Sequence, residues 1–434
     1  MRKLAWCAAG AALGLIIWAA GAAADRPAQP AGSNPRPRLS ETQIRSLDIA
    51  FYAKRIERDS LSARDFTQLA ALYLQRARET ADNQDLVRAE EMARHSLRLR
   101  TSRNGAAFGV LASSLLAQHR FAEALEAAEA LVEYDSTSIS ARGLLGETQM
   151  ELGRYGDARR SLGALASYRR DLSVAPRLAR WEELQGHPEA ARQLLREARD
   201  DAARQHGMPR EQLAWFHLRL GDLALRNGHA GEAERELHDG LKISPRDYRL
   251  LGTMARLEAA QHRWDSAIRY GEEAIGQALD PATLGLIGDA YAALGDSAKS
   301  REYSHAMETA VLHQPGAFHR AWSLYLLDHG RDVPAVLAKV RAELETRRDI
   351  YGYDLLAWAL HRSGRDAEAR AAMMRALTLG TRDAMLFYHA GMIEHALGNE
   401  GSARQDLAQA LTINPIWHPT QRDEARALLD SLAP

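Results

Sequence analysis

The feature of this 434-residue chain that most constrains its fold is a turn that returns at a nearly fixed spacing. A glycine followed five residues later by an alanine recurs as Gly153/Ala158, Gly186/Ala191, Gly228/Ala233, Gly330/Ala335, Gly364/Ala369 and Gly398/Ala403. His119/Ala124 and His262/Ala267 keep the alanine and put histidine at the turn, and Gly295 marks a ninth position with Ser300 where the alanine is expected. Successive turns lie 34, 33, 42, 34, 33, 35, 34 and 34 residues apart, so one interval alone departs from a period near 34. A single match of this kind is common, but nine in phase are not a product of chance. The stretches between turns have helical periodicity, and a composition with 6% aromatics and abundant Ala, Leu, Arg and Glu suits helices better than sheets. One helix pair of this length cannot bury its faces alone, so neighbouring pairs must stack into an all-α solenoid.

The pattern resembles the tetratricopeptide repeat family, whose unit is a 34-residue helix–turn–helix with small residues at fixed positions. Leu145-Gly146, Leu220-Gly221 and Ile287-Gly288 in first helices carry the resemblance, with Tyr291 three residues after its glycine. So do bulky residues two after the turn (Phe121, Tyr155, Trp264) and the between-unit prolines Pro245 and Pro415. It implies a right-handed superhelix of nine to ten units, clear over 105–415, within a solenoid spanning 40–434. Small residues such as Gly146, Gly221, Gly288, Gly391, Ala158, Ala233, Ala267 and Ala403 are expected where paired helices approach closely.

The ends and irregularities follow from local rules. Ser40 and Gln43 form a capping box for a first helix running to about Asp59. Ile44, Leu47 and Phe51 make one apolar stripe on it and Ile49, Tyr52 and Ile56 a second, so the helix is expected to be covered on two sides. A degenerate unit with Leu69-Ala70, Tyr73 and Ala89 precedes the clear ones, its turn lengthened by ETADNQD. The 42-residue interval places an extended second helix and a longer loop at about 196–211. Ser300 and Asp332 break the pattern around 281–349, where irregular packing is expected. A last helix, Gln421 to Leu432, is expected to be a capping helix with Arg422, Asp423, Glu424 and Arg426 in solvent.

At the amino terminus, Arg2 and Lys3 precede an uncharged run from Leu4 to Ala24 that ends in Ala-Ala-Ala. This is the pattern of a signal peptide over 1–24, cut after Ala24, with an uncleaved membrane anchor as the alternative. Residues 25–39, with prolines at 27, 30, 35 and 37, form a linker that cannot sustain a helix. Cys7 is the sole cysteine, so cleavage leaves no thiol and moves the formal net charge from -1 to -3. The expected address is therefore periplasmic or secreted. The near-neutral balance argues against nucleic acid as a partner.

No P-loop, G-x-G-x-x-G, H-E-x-x-H or G-x-S-x-G is present, and no cofactor is expected. The sixteen histidines are scattered; His389 and His395 stand six apart and do not share a helix face, so no metal site is assigned. Adjacent acids such as Glu90-Glu91, Glu182-Glu183 and Glu272-Glu273 are read as solvated helix faces.

The family resemblance implies that first helices line a concave groove where a protein or peptide binds. In that register Arg177, Arg180, Arg219, Arg226, Arg249 and Arg256 form an arginine wall. Tyr351, Trp358, His361, Tyr388, His389, Met392 and His395 form an aromatic–histidine wall in the last units. Two plainer readings stand beside these: arginines salt-bridged to Glu183, Asp222 and Glu258, and Trp358 and Tyr388 packed against the terminal helix. The asparagine-and-lysine carboxylate clamp of some family members does not recur, since Gly109 and Ser113 occupy the matching positions. The expected function is a non-enzymatic, protein-binding scaffold of the cell envelope; the alternative is an enzyme or enzyme subunit with a site around 281–349.

Overall fold

The computed structural model describes residues 39–312 and 320–432, and over these the chain is all-α. The signal segment 1–24, with Cys7, and linker residues 25–38 lie outside the described residues. A leading helix α1 (Glu41–Arg58) opens the array. The helix pairs that follow are α2 (Ala63–Thr80) with α3 (Asn83–Leu99), α4 (Gly105–Ala117) with α5 (Phe121–Tyr134), and α6 (Ile139–Glu151) with α7 (Tyr155–Gly163). Next come α8 (Ala175–Leu184) with α9 (Pro188–Arg204), α10 (Arg210–Arg226) with α11 (Ala230–Ile243), and α12 (Tyr248–Ala260) with α13 (Trp264–Ile275). Then follow α14 (Pro281–Ala293) with α15 (Ser297–Leu312), α16 (Arg320–Asp328) with α17 (Val333–Glu343), α18 (Ile350–His361) with α19 (Asp366–Ala376), and α20 (Ala384–Ala396) with α21 (Glu400–Ile413). A trailing helix, α22 (Gln421–Ser431), closes the described chain. That makes ten pairs. Successive first helices pack more closely on one another than successive second helices, which meet through long side chains such as Arg192 and Glu232, so the first helices line the inside of the superhelix.

Every pair turns through one residue in the left-handed region: Ala81, His119, Gly153, Gly186, Gly228, His262, Gly295, Gly330, Gly364 and Gly398, with φ between 58° and 85°. At Gly153 the turn is a Schellman motif, in which Arg154 N–H returns to Gln149 O (2.8 Å) and Gly153 N–H to Met150 O (3.0 Å). The periodic glycines are thus helix stops, and His119, His262 and Ala81 adopt the same geometry at a higher backbone cost. Ala81 corrects one expectation. The first unit's turn is not lengthened, because α2 and α3 extend into ETADNQD and leave only residues 81–82 between them.

Inside each pair a glycine of the first helix faces a leucine of the second. A methyl group on Gly146 would meet Leu162 at 2.7 Å, on Gly221 Leu237 at 2.8 Å, and on Gly391 Leu407 at 2.7 Å. Each leucine stands one helical turn after the repeat alanine, and Ala158, Ala233 and Ala403 are wholly buried. In the weak unit Ser300 and Ser304 take the places of alanine and leucine against Gly288. That seam closes instead on Leu284, Met307 and Ala310 one turn further along. The next pair is also short: α16 has nine residues, and Asp332 before α17 is itself left-handed at φ 46°.

The superhelix closes on itself after one turn. Carbonyls at the C-terminal ends of α6, α8, α10 and α12 are left free to accept from outside their own helix, although Leu225 O of α10 also accepts from Gly228 N–H (3.1 Å). Donors six units further along, or five for the last, answer them. Arg348 N–H reaches Leu152 O (3.1 Å), and Arg347 Nε reaches Glu151 O (2.9 Å). The Thr381 hydroxyl donates to Leu184 O, Asn414 Nδ2 to Leu225 O (2.9 Å), and Arg422 Nη1 to Ala260 O (2.7 Å). Beside these bonds Ile350 at the start of α18, Leu379 before α20 and Ile416 before α22 pack into the core formed by the earlier turn. Gly153 lies so close to this junction that a methyl group on it would fall 2.2 Å from Arg348 O.

Three further expectations need correction or refinement. The capping box at Ser40 and Gln43 is formed, but α1 is covered on one side only: Ile49 is buried, whereas Ile44, Leu47 and Phe51 are exposed. Among the described residues no earlier helix covers that exposed stripe. The insertion in the 42-residue interval is a long α9, a loop with Gly207 at φ 77°, and a long α10. The start of α10 reaches the amino-terminal helices, where Arg210 N–H donates to Glu41 Oε2 (3.1 Å) and Gln212 Nε2 to Gln75 Oε1 (3.4 Å). The trailing helix is not solvated all along its polar side, because Arg422 is buried in the closure and Glu424 accepts from the Tyr388 hydroxyl (2.6 Å).

Two predictions follow from this packing. Alanine at Gly364, where φ is 70° and nothing lies within 4 Å, should cost about 1–2 kcal/mol of backbone strain. Alanine at Gly153 should cost roughly 1–3 kcal/mol more, because it must also push Arg348 away. Urea denaturation of the two variants measures the difference, and equal losses would mean that the closure adds no stability. The second concerns Asp406 of α21, which burial and then the neighbouring Glu394 charge push up to about 6 from 3.8. The folded state therefore binds its proton more tightly than the unfolded chain, and that contribution is complete below about pH 4 and lost as pH rises through about 6. Asp406→Asn should raise stability at about pH 7.5 by roughly 1–2 kcal/mol and leave it unchanged at about pH 4. An equal gain at both would assign the effect to packing.

Candidate functional site

The inner face carries a network of guanidinium and carboxylate groups built on the first helices. Each link has helical spacing: Arg180 and Glu183 on α8, Arg219 and Asp222 on α10, and Asp222 and Arg226 one turn further. Glu183 accepts from three arginines, Arg180 (3.0 Å), Arg219 (3.3 Å) and Arg226 (2.5 Å). Asp222 accepts from Arg219 (3.1 Å), Arg226 (2.7 Å) and Arg256 of α12 (2.5 Å). Burial alone would raise both carboxyls, but the surrounding arginines outweigh it and hold them below their ordinary values. Arg219, the innermost, is lowered by burial, since Arg226 and Arg180 offset part of what Glu183 and Asp222 return.

Closure of the superhelix brings the two expected walls together. Tyr351 of α18 lies across from Arg180, whose guanidinium is 5.7 Å from its ring centre, and Arg320 of α16 lies 5.1 Å from the same ring. Burial pushes the Tyr351 hydroxyl up to about 12, within reach of the Arg180, Arg226, Asp383 and Glu183 charges. What looked like separate surfaces at 172–260 and 350–395 are opposite sides of one crevice between consecutive superhelical turns.

Other members of the expected set have different work. Arg177 is 3% exposed and donates to Glu147 (2.8 Å) and to Ser173 O, so it holds α8 to α6. Arg249 is clamped by Asp247 (2.7 Å) and Glu211 (2.7 Å) beneath the α10 insertion. The aromatic wall is not open. Trp358 is 3% exposed, stacks on His389 at 4.2 Å and donates to Asp328 (2.9 Å). His389 is wholly buried on Asp354 (2.7 Å), and Tyr388 packs on Trp417 (5.8 Å) beside α22. These rings fill the space between pairs instead of facing a groove. His361 is tied to Asp366 (2.6 Å) and His395 to Glu400 (3.2 Å), both at turns.

Sequence reasoning missed Arg320, Asp383 and the inward role of Glu183. The acidic pair Glu182-Glu183 was read as solvated, yet only Glu182 faces outward; the same holds for Glu90, which is buried on Arg94 and Arg120. The available signal was the three- and four-residue spacing of each inward acid from an arginine. Among the described residues no group of three or more His, Cys, Asp or Glu is arranged to hold a metal ion, and no helix is long and apolar enough to cross a membrane.

This geometry separates structural from surface residues. Trp358→Ala should cost about 3–5 kcal/mol of stability, as loss of a fully packed ring does. Arg256→Ala should cost less than about 1 kcal/mol, because the side chain is half exposed and Asp222 keeps two other partners. Thermal or urea unfolding of both variants decides; the reverse order would place Trp358 in the opening and Arg256 in the core.

Comparison with known proteins agrees with the repeat geometry. No curated protein matches the sequence. Two solved structures similar to this chain are the APC/C hetero-tetramer Cut9–Hcn1 (13% identity, TM-score 0.35, covering 91% of this chain and 97% of that chain) and yeast Tom70 (12%, 0.36, 88% and 91%). Family descriptions match over residues 115–179, which span α5 to α8, and 386–416, which span α20 and α21. Tetratricopeptide repeats are thus matched over these two stretches of an all-α array of helix pairs.

Proposed function

We propose that this chain is a non-enzymatic scaffold of the cell envelope that binds another protein along the inside of its superhelix. One observation carries the reading: the crevice between the two turns gathers Arg180, Arg219, Arg226, Arg256 and Tyr351, polar and aromatic groups suited to recognition and not set in any nucleophile–base or metal arrangement. Tetratricopeptide repeats are protein-binding units, which supports the same reading. Export rests on the sequence, in which Arg2 and Lys3, the Leu4–Ala24 run and the Ala-Ala-Ala site precede a cysteine-free remainder.

Affinity capture with the purified protein against its own envelope fraction should enrich a specific protein, and the yield should fall when Arg180 and Arg226 are both changed to Gln. Capture that ignores these changes would move the binding surface away from the crevice. Mass spectrometry of the protein purified from its cells should show Asp25 as the first residue; an intact Met1 in the membrane fraction would instead establish the anchored form.

A further inference from the structure

Two arginines of the crevice carry a donor that none of its acids answers. Arg226 gives two N–H groups to Glu183 and Asp222, and Arg320 gives one to Asp354 (2.7 Å), but the Nε–H of each is buried with no acceptor. A guanidinium has five donors, and an unanswered buried one is costly, more so when it carries charge. The two arginines come from different superhelical turns. They converge near Tyr351, whose ring is flanked by Arg180 and Arg320, and near Asp383 at the start of α20. Asp383 forms no ion pair with either arginine, and its Oδ1 is engaged as the N-cap of Met385 N–H (3.0 Å). Burial raises its carboxyl above the ordinary range despite Arg226 and Arg320. Water reaches the place: the side chains of Arg226 and Arg320 are 28% and 30% exposed.

We propose that this crevice is an anion subsite taking the side-chain carboxylate of an acidic peptide, which would accept from Arg226 and Arg320 beside the Tyr351 ring. This deepens the scaffold reading and rests on it for the nature of the ligand. An arginine fork favours a planar carboxylate, and pairing across the two turns would let one acidic side chain bridge them. A nucleic acid would need an extended basic track, which the chain's near-neutral balance does not supply.

The test uses the full chain in detergent and a fluorescein-labelled peptide with six glutamates spaced by Gly-Ser, read by fluorescence anisotropy. The acidic peptide should bind, and weaken as salt rises, while a lysine counterpart of the same design should not. Joint Arg226→Gln and Arg320→Gln should weaken binding at least tenfold, whereas Arg235→Gln on the exposed outside of α11 should leave it unchanged. If the double variant does not fold, Asp383→Asn decides. Asparagine keeps the cap and removes the competing acid, so affinity should rise about threefold. Unchanged affinity in Asp383→Asn, equal binding of the lysine peptide, or no binding of the acidic peptide by folded protein would each overturn the proposal. Tighter binding of a single-stranded oligonucleotide than of the peptide would overturn it too, as would free glutamate competing as well as the peptide. Failure here with intact, crevice-independent protein capture would leave the scaffold reading standing; acidic-peptide binding without any captured protein would sink the scaffold and spare the subsite.

Discussion

A helix leaves its last carbonyls unanswered, and the architecture of this protein turns on where those of α6, α8, α10 and α12 find donors. In an open solenoid water would serve. Here the donors are protein groups almost two hundred residues away for the first three: Arg348 N–H, the Thr381 hydroxyl and the Asn414 amide, with the Arg422 guanidinium completing the series. Each bond is worth about 1 kcal/mol on its own, but four in a row with Ile350, Leu379 and Ile416 between them convert a one-dimensional stack into a closed body. The inner crevice exists because of that closure, since Tyr351, with Arg320 on its ring, meets Arg180 only across it.

The same feature divides what could be read from the sequence from what could not. Positions that obey local rules were legible: the left-handed stops, the Ser40–Gln43 box, the alanine seam opposite Gly146 and Gly391, and the insertion before α10. These depend on residues within a unit or on its neighbour. The closure depends on superhelical pitch, a small rotation accumulated over six pairs, and it is read out mostly on main-chain atoms. No side-chain pattern announces that Leu184 O will meet Thr381. Misreadings at the candidate site have the same origin. Trp358 and Tyr388 look like groove residues in a register that counts single helices, but they fill gaps between pairs and against α22. Ile44, Leu47 and Phe51 look like core because their spacing is that of core, while burial also needs a neighbouring helix, and the described residues place none on that side.

Charge on the inner face follows a rule of its own. Arginine supplies nearly every cation of the chain, with lysine only at positions 3, 54, 242, 299 and 339. A planar fork can serve two carboxylates at once, as Arg219 and Arg226 do between Glu183 and Asp222. An ammonium group at either place would be a point charge more heavily hydrated and less able to bridge neighbouring pairs. Replacing such partners singly would leave an uncompensated charge in a confined space, so the network resists piecemeal change even though its net contribution to stability is modest.

Closure also changes what kind of polymer this is. An ordinary repeat array behaves like a stack of coins, and one coin more or fewer alters only its height. A thread that must mesh with itself has a fixed pitch. Deleting one pair between α6 and α18 would shift every later donor by a full unit, so that Arg348, Thr381, Asn414 and Arg422 would face the wrong carbonyls together. The number of units in this span is therefore quantised by geometry. Drift by duplication or loss of a repeat, the common route by which such chains change length, is open at the ends and barred in the middle.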